Sequence, residues 1–160
     1  MWVPLAILAF LSLVGGWVHT GDLGCCDEDG YFSIVDRKKD LLVTAGGKNI
    51  APQAIEAVFE RSPFIEHAVV IGDRRPYLVA LLVPDRNELR KWAAEQGLTA
   101  AGMEDLIEQP AVVGLFEATV ASLNQSFAAI EQIKKFRLLP SSLTQESGHL
   151  TPTLKIKRRV

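Results

Sequence analysis

The sequence has little of what builds a metal centre or a disulfide framework. Its 160 residues include two cysteines and three histidines. Cys25 and Cys26 are adjacent, and neighbouring cysteines rarely form a disulfide because the small ring they close is strained. They also lack the spacing of zinc ligands. We therefore predict reduced thiols in a cytoplasmic protein, and no metal site.

A strong excess of charge of one sign is missing too. Seventeen lysines and arginines stand against nineteen aspartates and glutamates, which gives a net charge of −2 at pH 7. No global field therefore attracts a nucleic acid or a membrane, and we predict no nucleic-acid partner. The length and the 48% hydrophobic composition fit one domain with a sizeable core.

A hydrophobic run long enough to span a bilayer is also missing. Residues 1–15 are almost wholly apolar, but a transmembrane helix needs about 18–20 such residues. The segment also lacks the positive residues that open a secretory signal. A membrane anchor or a cleaved signal stays open as an alternative, and with it peripheral membrane association.

The chain is organised around residues 22–52. A turn at Asp29-Gly30 and a short strand over residues 31–35 come first. Five consecutive charged residues, 36–40, then separate this strand from a second apolar run at residues 41–43. Because five charges between two apolar strands cannot lie in the core, we predict an exposed hinge or a ligand-facing turn. A solvated hairpin tip is the alternative.

Three further features have residue types that bind ligands. In Thr20-Gly21-Asp22 the glycine lets backbone approach a ligand, and the carboxylate can accept two hydroxyls. Gly46-Gly47 makes a flexible corner ahead of Pro52, a residue that starts helices well. The segment 150–159 has four positive charges and no acid in its last six residues. Read singly, these are two ordinary turns and a basic tail.

Taken in order, the motifs TGD, DxDGYF, DRKKD and TxGGKNIxP resemble the AMP-forming long-chain acyl-CoA synthetases (fatty-acid–CoA ligases) of the adenylate-forming superfamily. The tail motif TPTxKxKR is similar to the one that ends this family. The resemblance implies the family's small α+β C-terminal domain, a β-hairpin followed by a short mixed or antiparallel sheet packed with helices. We expect an apolar non-family leader at 1–15, the end of the large AMP-binding domain at 16–36, and the C-terminal domain at 37–160.

The resemblance also implies roles for individual residues. Asp22 and Arg37 correspond to the nucleotide-binding positions, and Lys39 to the hinge about which the domain turns between two reaction steps. Gly46, Gly47 and Lys48 correspond to the loop by the CoA channel, with Lys48 near a CoA phosphate. Lys155 corresponds to the lysine that stabilises the adenylation transition state.

Apolar periodicity predicts the remaining elements. Pro52 opens a helix with a core stripe of Ile55, Val58 and Phe59. Asp85 starts a second helix with Glu88 three residues later, in the manner of a capping box. Two strands at 67–72 and 77–83, joined by a short polar link, form an antiparallel pair; residues 99–135 are helical in pattern, and a short strand follows at 136–139.

The implied reaction is acyl-CoA synthesis from a fatty acid, ATP and CoA, with Mg²⁺ on the phosphates. The partner is the large AMP-binding domain, which this sequence does not contain, so we expect no ligase activity from this chain alone. Two alternatives remain. One is a free-standing accessory or regulatory domain that docks on a separate ligase subunit. The other is a non-catalytic protein attached to a membrane by residues 1–15.

Overall fold

The computed structural model describes residues 13–14, 16–37 and 41–141, and at positions 13, 14, 18, 23 and 34–37 it describes the backbone alone. The chain divides into two compact units, one up to Leu41 and one from Leu42 onward.

Two antiparallel pairs of strands make up the described part of the first unit. Strand β1 (Leu13–Val14) pairs with β2 (Trp17–Val18), and β3 (Asp22–Cys26) pairs with β4 (Phe32–Arg37). The turn between β3 and β4 is closed by Asp27, whose carboxylate accepts the backbone N–H groups of Asp29 at 3.1 Å and Tyr31 at 2.8 Å. An aspartate that caps its own turn in this way is the reason for the acidic, glycine-containing sequence there.

The two strands that flank the charged residues 36–40 do not pair with each other. Strand β4 pairs with β3, whereas the second apolar run forms β5 (Leu42–Val43) and pairs with β6 (Asn49–Ile50) in the other unit. The interpretation of residues 36–40 as a hairpin tip is therefore wrong. Two short loops, at 27–31 and 44–48, each close a local hairpin, and short loops cost little closure entropy. Residues 38–40 themselves lie outside the described residues.

The second unit is a small mixed sheet with helices, which agrees with the predicted α+β class. Its sheet has the order β7 (Ile65–Ile71), β8 (Leu78–Pro84), β9 (Ile133–Leu138). Strands β7 and β8 are antiparallel, as predicted, and β8 and β9 are parallel. A parallel pair needs a long crossover, and three helices provide it: α2 (Arg86–Glu95), α3 (Met103–Ile107) and α4 (Pro110–Asn124).

The predicted helix starts are confirmed. Pro52 lies in the first turn of helix α1 (Pro52–Phe59), where its missing N–H costs nothing. The carboxylate of Asp85 accepts the backbone N–H groups of Asn87 at 2.9 Å and Glu88 at 3.0 Å, and so caps α2.

The helical pattern predicted for residues 99–135 extends too far. Helix α4 ends at Asn124, and β9 begins at Ile133 rather than 136. The Asn124 side chain causes the change of direction, because its amide donates to the Ile133 carbonyl and its oxygen accepts the Ile133 N–H, both at 2.9 Å. The backbone N–H groups of residues 125–127 turn back to the carbonyls three residues earlier, which tightens the end of the helix.

The core of the second unit lies between its helices and one face of the sheet. Phe59 of α1 and Phe116 of α4 are completely buried, together with Leu78 and Leu82 of the central strand. The Phe59 ring also stacks on Phe127, with ring centroids 6.3 Å apart. The helices and strands next to this core are held in place by packing against it.

Helix α1 is also fixed to β7 by two glutamates one helical turn apart. Glu56, which is 6% exposed, accepts the Val70 N–H at 2.7 Å, and Glu60 accepts the Ala68 N–H at 3.2 Å. Strand β7 is an outer strand of the sheet, so these N–H groups lie on its open edge. The two carboxylates therefore set the position of α1, and of the loop that leads into it, relative to the sheet.

Candidate functional site: the glycine loop

The glycine loop, residues 44–48, connects β5 to β6 directly ahead of α1. Buried Thr44 organises it: the Thr44 N–H donates to the Lys48 carbonyl at 3.0 Å, and the Thr44 hydroxyl oxygen accepts the Lys48 N–H at 3.2 Å. The Gly47 N–H donates to the Thr44 carbonyl at 2.8 Å, and Gly47 has a φ of +76°. Only glycine adopts that conformation without strain.

The outer side of the glycine loop is open. Residues 45–49 are exposed, and a Cβ added at Gly46 would meet nothing closer than the Thr44 hydroxyl at 3.9 Å. At Gly47 an added Cβ would meet nothing within 4 Å. The loop thus has a fixed inner side and free space on its outer side, which is the geometry that lets a ligand approach backbone closely.

A second segment, the 72–75 turn between β7 and β8, holds the start of the glycine loop. The Asp73 carboxylate accepts the Val43 N–H at 3.1 Å, and the Arg74 N–H donates to the Val43 carbonyl at 2.7 Å. The Ala45 N–H donates to the Arg75 carbonyl at 3.0 Å. A Cβ at Gly72 would collide with the end of the Leu78 side chain, which is completely buried and would have to shift.

Sequence reasoning missed the 72–75 turn, which it treated as a polar link without a role. The missed signal is the aspartate directly after a buried strand and a glycine, since such a carboxylate commonly accepts backbone N–H groups. Its partner, Val43, lies thirty positions away, and no local pattern identifies a partner at that separation.

The two predicted nucleotide-binding positions lie opposite each other in the first unit. The register of β3 and β4 pairs Asp22 with Arg37. The Asp22 N–H donates to the Thr20 hydroxyl oxygen at 3.2 Å, so the TGD motif forms its own small turn. The Arg37 side chain is outside the described residues.

The predicted hinge Lys39 and the predicted catalytic Lys155 both lie outside the described residues. Cys25 and Cys26 are free and exposed. A groove of about 1300 Å³ between α4 and β9, with Val113, Val120 and Ile133 in its lining, contains none of the predicted site residues.

No group of three or more histidine, cysteine, aspartate or glutamate side chains in the described ranges is arranged to hold a metal ion. The side chains in these ranges therefore offer no all-protein cage for Mg²⁺, an ion that is usually held by one or two carboxylates together with substrate phosphates. In the same ranges no helix is both long enough and apolar enough to cross a membrane.

The small mixed sheet with its helices is the fold of the C-terminal domains of adenylate-forming enzymes. Residues 39–160 match the family described as AMP-binding enzyme C-terminal domain. This match covers more than half of the chain, and the chain belongs to that family.

Several curated relatives of the chain are named as fatty-acid–CoA ligases. The chain is 43% identical over 150 residues to "Long-chain-fatty-acid--CoA ligase FadD15" of Mycobacterium tuberculosis, an alignment that covers 93% of this chain and 25% of the relative. It is 35% identical over 146 residues to "Long chain acyl-CoA synthetase 6, peroxisomal" of Arabidopsis thaliana, covering 89% of this chain and 21% of the relative. The chain thus spans about a quarter or less of the length of these relatives.

Solved structures agree on the fold. The adenylation domain of the carboxylate reductase from Mycobacterium chelonae has a TM-score of 0.76 at 23% identity, covering 96% of this chain and 22% of that one. The corresponding domain from Segniliparus rugosus, solved with AMP and a carboxylic acid, has a TM-score of 0.68 at 25% identity, covering 87% of this chain and 20% of that one.

Proposed function

We propose that this chain is the C-terminal portion of an AMP-forming long-chain fatty-acid–CoA ligase. The observation that carries the proposal is the 43% identity to FadD15 along 93% of the chain. The glycine loop supports it, because its exposed outer side leaves space for a ligand to approach the backbone at Gly46 and Gly47. The substrates are a fatty acid, ATP and CoA, and Mg²⁺ accompanies ATP.

The reaction has two steps. The fatty-acid carboxylate attacks the α-phosphorus of ATP, which forms acyl-AMP and releases pyrophosphate. The CoA thiol then attacks the acyl carbon, loses its proton, and AMP leaves with the bonding electrons. Lys155 stabilises the charge that is shared between carboxylate and phosphate in the first step. Asp22 and Arg37 hold the ribose, Lys39 is the hinge, and Gly46, Gly47 and Lys48 line the CoA passage in the second step.

The large AMP-binding domain is the partner in this proposal, since its fatty-acid pocket and phosphate loop position the substrates. Electrostatic stabilisation without positioned substrates gives little rate, because positioning supplies much of the reduction of the barrier. We therefore expect no acyl-CoA synthesis by this chain alone.

A chimera tests the proposal. Residues 16–160 replace the corresponding part of the FadD15 ligase, and acyl-CoA formation from a long-chain fatty acid, ATP and CoA is measured. We expect activity in the chimera, and a loss of about a hundredfold or more in Lys155→Ala, the order found when one transition-state contact is removed. Lys157→Ala is the matched control in the same tail. A chimera that folds but makes no acyl-AMP contradicts the proposal, as does full activity in Lys155→Ala.

The native mass of the protein in a lysate is a separate test. An antibody against residues 30–160 should detect a species several times larger than 17.6 kDa if the large domain is joined to this sequence. A species of 17.6 kDa favours the alternative of a free-standing domain that docks on a separate ligase subunit.

A further inference from the structure

The outer edge of β9 is open within the described residues. The sheet has the order β7, β8, β9, and in that part of the chain β9 pairs with β8 alone. The N–H of Leu139, directly after β9, donates to the Leu82 carbonyl of β8 at 2.9 Å. Because the backbone N–H and C=O groups of a strand point alternately to its two sides, those of Phe136 and Leu138 point away from β8. This edge therefore presents donors and acceptors with which another chain can pair.

Asn124, at the end of α4, binds the first residue of β9 much as a neighbouring strand would. Its side-chain oxygen accepts the Ile133 N–H, and its amide donates to the Ile133 carbonyl, both at 2.9 Å. Among the described residues, no side chain is hydrogen-bonded to the backbone of Phe136 or Leu138. The edge is thus closed at its first residue and open beyond it.

The groove of about 1300 Å³ between α4 and β9 runs beside this edge. Val113, Val120 and Ala121 of α4 supply apolar side chains to its lining. Residues 113–124 of α4 extend about 16 Å at a helical rise of about 1.5 Å per residue. Residues 134–138 of β9 extend about the same distance at about 3.3 Å per residue. A short strand added to β9 would therefore lie along α4, and every second side chain of that strand would face the groove.

The two faces of such an added strand would meet different charges. Leu138 packs in the core, so Lys135 and Arg137, at alternate positions of β9, lie on the opposite face of the sheet. Both are exposed, and neither has an ion pair with a residue of the described ranges. Glu108 and Glu117 border the groove on its helix side. Acidic side chains therefore fit the face beside the two cations, and apolar side chains fit the face toward α4.

Charge disfavours two occupants from this protein itself. A second copy that paired its β9 with this one would bring Lys135 and Arg137 of the two strands close together, and like charges on paired strands repel. The tail, residues 150–159, has four positive charges and no acid in its last six residues. It would add to the same repulsion. The occupant that fits the edge is acidic and comes from another protein.

We propose that β9 binds an extended segment of a partner protein as a fourth strand of the three-stranded sheet. The apolar side chains of the segment fill the groove along α4, and its acidic side chains, at alternate positions, lie next to Lys135 and Arg137. In strand addition of this kind, backbone hydrogen bonds supply affinity and the alternate side chains supply specificity. The groove contains none of the predicted site residues, so this partner site does not depend on the proposed ligase function.

Peptide binding to the 160-residue chain, followed by backbone amide NMR signals, tests the proposal. The probe is a peptide of about eight residues with blocked ends that alternates valine and glutamate, a length typical of strands. One comparison peptide alternates valine and lysine, and another has the probe's composition with all valines first. We expect the probe to shift the signals of residues 134–138 and to slow the hydrogen exchange of the Phe136 and Leu138 amides. Both comparison peptides should bind more weakly.

N-methylated probes test the backbone pairing without any change to the protein. A strand added to β9 uses the N–H groups of every second residue for the pairing, and its other N–H groups point to solvent. Methyl groups on one alternate set of peptide nitrogens should therefore abolish binding. Methyl groups on the other set should leave the Kd unchanged. Equal effects of the two sets would contradict strand addition.

A charge reversal tests the choice of an acidic partner. Lys135→Glu/Arg137→Glu should raise the Kd for the glutamate peptide about three- to tenfold, since each exposed charge contact contributes little. The same variant should bind the lysine peptide more tightly than the unchanged chain does. Arg90→Glu/Lys91→Glu, at exposed positions of α2, makes the same change in net charge away from the groove. This control should leave both Kd values unchanged.

A tryptophan placed in the groove tests the apolar contacts. Ala121 is exposed and lines the groove, so Ala121→Trp should block peptide binding by filling the space along α4. Ala118 is exposed on the same helix and is not in the groove lining. Ala118→Trp is therefore the matched control and should bind the glutamate peptide with an unchanged Kd.

Several results overturn the proposal: no binding of the glutamate peptide, equal affinity for the glutamate and lysine peptides, or an unchanged Kd in Ala121→Trp. Slow exchange of the Phe136 and Leu138 amides without peptide would show that the edge is already occupied. If deletion of residues 142–160 makes that exchange fast, the tail is the occupant. If the free chain is a dimer that Ala121→Trp converts to a monomer, a second copy is the occupant.

Discussion

Phe59 and Phe116 in the second unit are completely buried, whereas Trp17, Tyr31 and Phe32 in the first unit are 77%, 72% and 84% exposed. The second unit covers these two phenylalanines with its own helices and sheet. The described part of the first unit is two strand pairs, and an isolated hairpin is marginally stable at best in water. The comparison teaches that the glycine loop belongs to a unit with its own hydrophobic core. Asp22 and Arg37 belong to a unit whose described part has no such core.

This difference fits the proposed place of the two units in a longer enzyme. Exposed aromatic rings on a strand pair are what we expect of a segment that another domain covers. Asp22 and Arg37 belong to that segment, and the glycine loop belongs to the unit with its own core. The proposal thus assigns Asp22 to the edge of the large domain, Arg37 to the boundary between the two domains, and the CoA passage to the small domain.

The largest effect is expected from a substitution in the core of the second unit. Phe59→Ala should lower the free energy of unfolding by about 3–5 kcal/mol, because it leaves a cavity in a packed interior. Phe32→Ala, a matched change in the first unit, should change it by less than about 0.5 kcal/mol. Urea unfolding of both variants measures this, and a loss in Phe32→Ala equal to that in Phe59→Ala would break the comparison.

A smaller effect is expected at the contact between α1 and β7. Glu56→Ala leaves the Val70 N–H without its acceptor in a buried position, which should cost about 1–3 kcal/mol. Glu95→Ala, at an exposed position of α2, is the control and should be near neutral. The same unfolding measurement applies, and equal stability of the two variants would show that the carboxylate does not fix the helix.

The smallest effect concerns the glycine loop. Gly47→Ala forces a Cβ into a backbone with φ of +76°, and we expect a loss of about 1–2 kcal/mol. Gly46 has no positive φ and space for a Cβ, so Gly46→Ala should cost less than about 1 kcal/mol. Thermal unfolding of the Gly47→Ala and Gly46→Ala variants measures the difference in their stability. If both variants lose equally, the left-handed position of Gly47 is not what shapes the loop.

The sequence predicted what depends on near neighbours. Pro52 and Asp85 mark helix starts because the groups they affect lie within one turn of the chain. The pair of β7 and β8 was predicted because a short polar link joins two apolar runs. The partner of β4 and the end of α4 were not, because each depends on one particular turn or side-chain contact, such as that of Asn124 with Ile133.

The predicted site shows the same difference between features set by near neighbours and features set by distant contacts. The glycine loop was predicted from its own residues, and the resemblance supplied the rest. The 72–75 turn was missed because its hydrogen bonds to Val43 and Ala45 join segments about thirty positions apart. Lys39 and Lys155 remain predictions.

The glutamates that join α1 to β7 have a consequence for how molecules of this protein meet. An outer strand with free N–H groups is a template on which a strand from another molecule can add. With the N–H groups of Ala68 and Val70 already bonded to Glu60 and Glu56, β7 offers fewer donors to an incoming strand. The same two carboxylates that position a helix thereby protect the sheet from edge-to-edge aggregation.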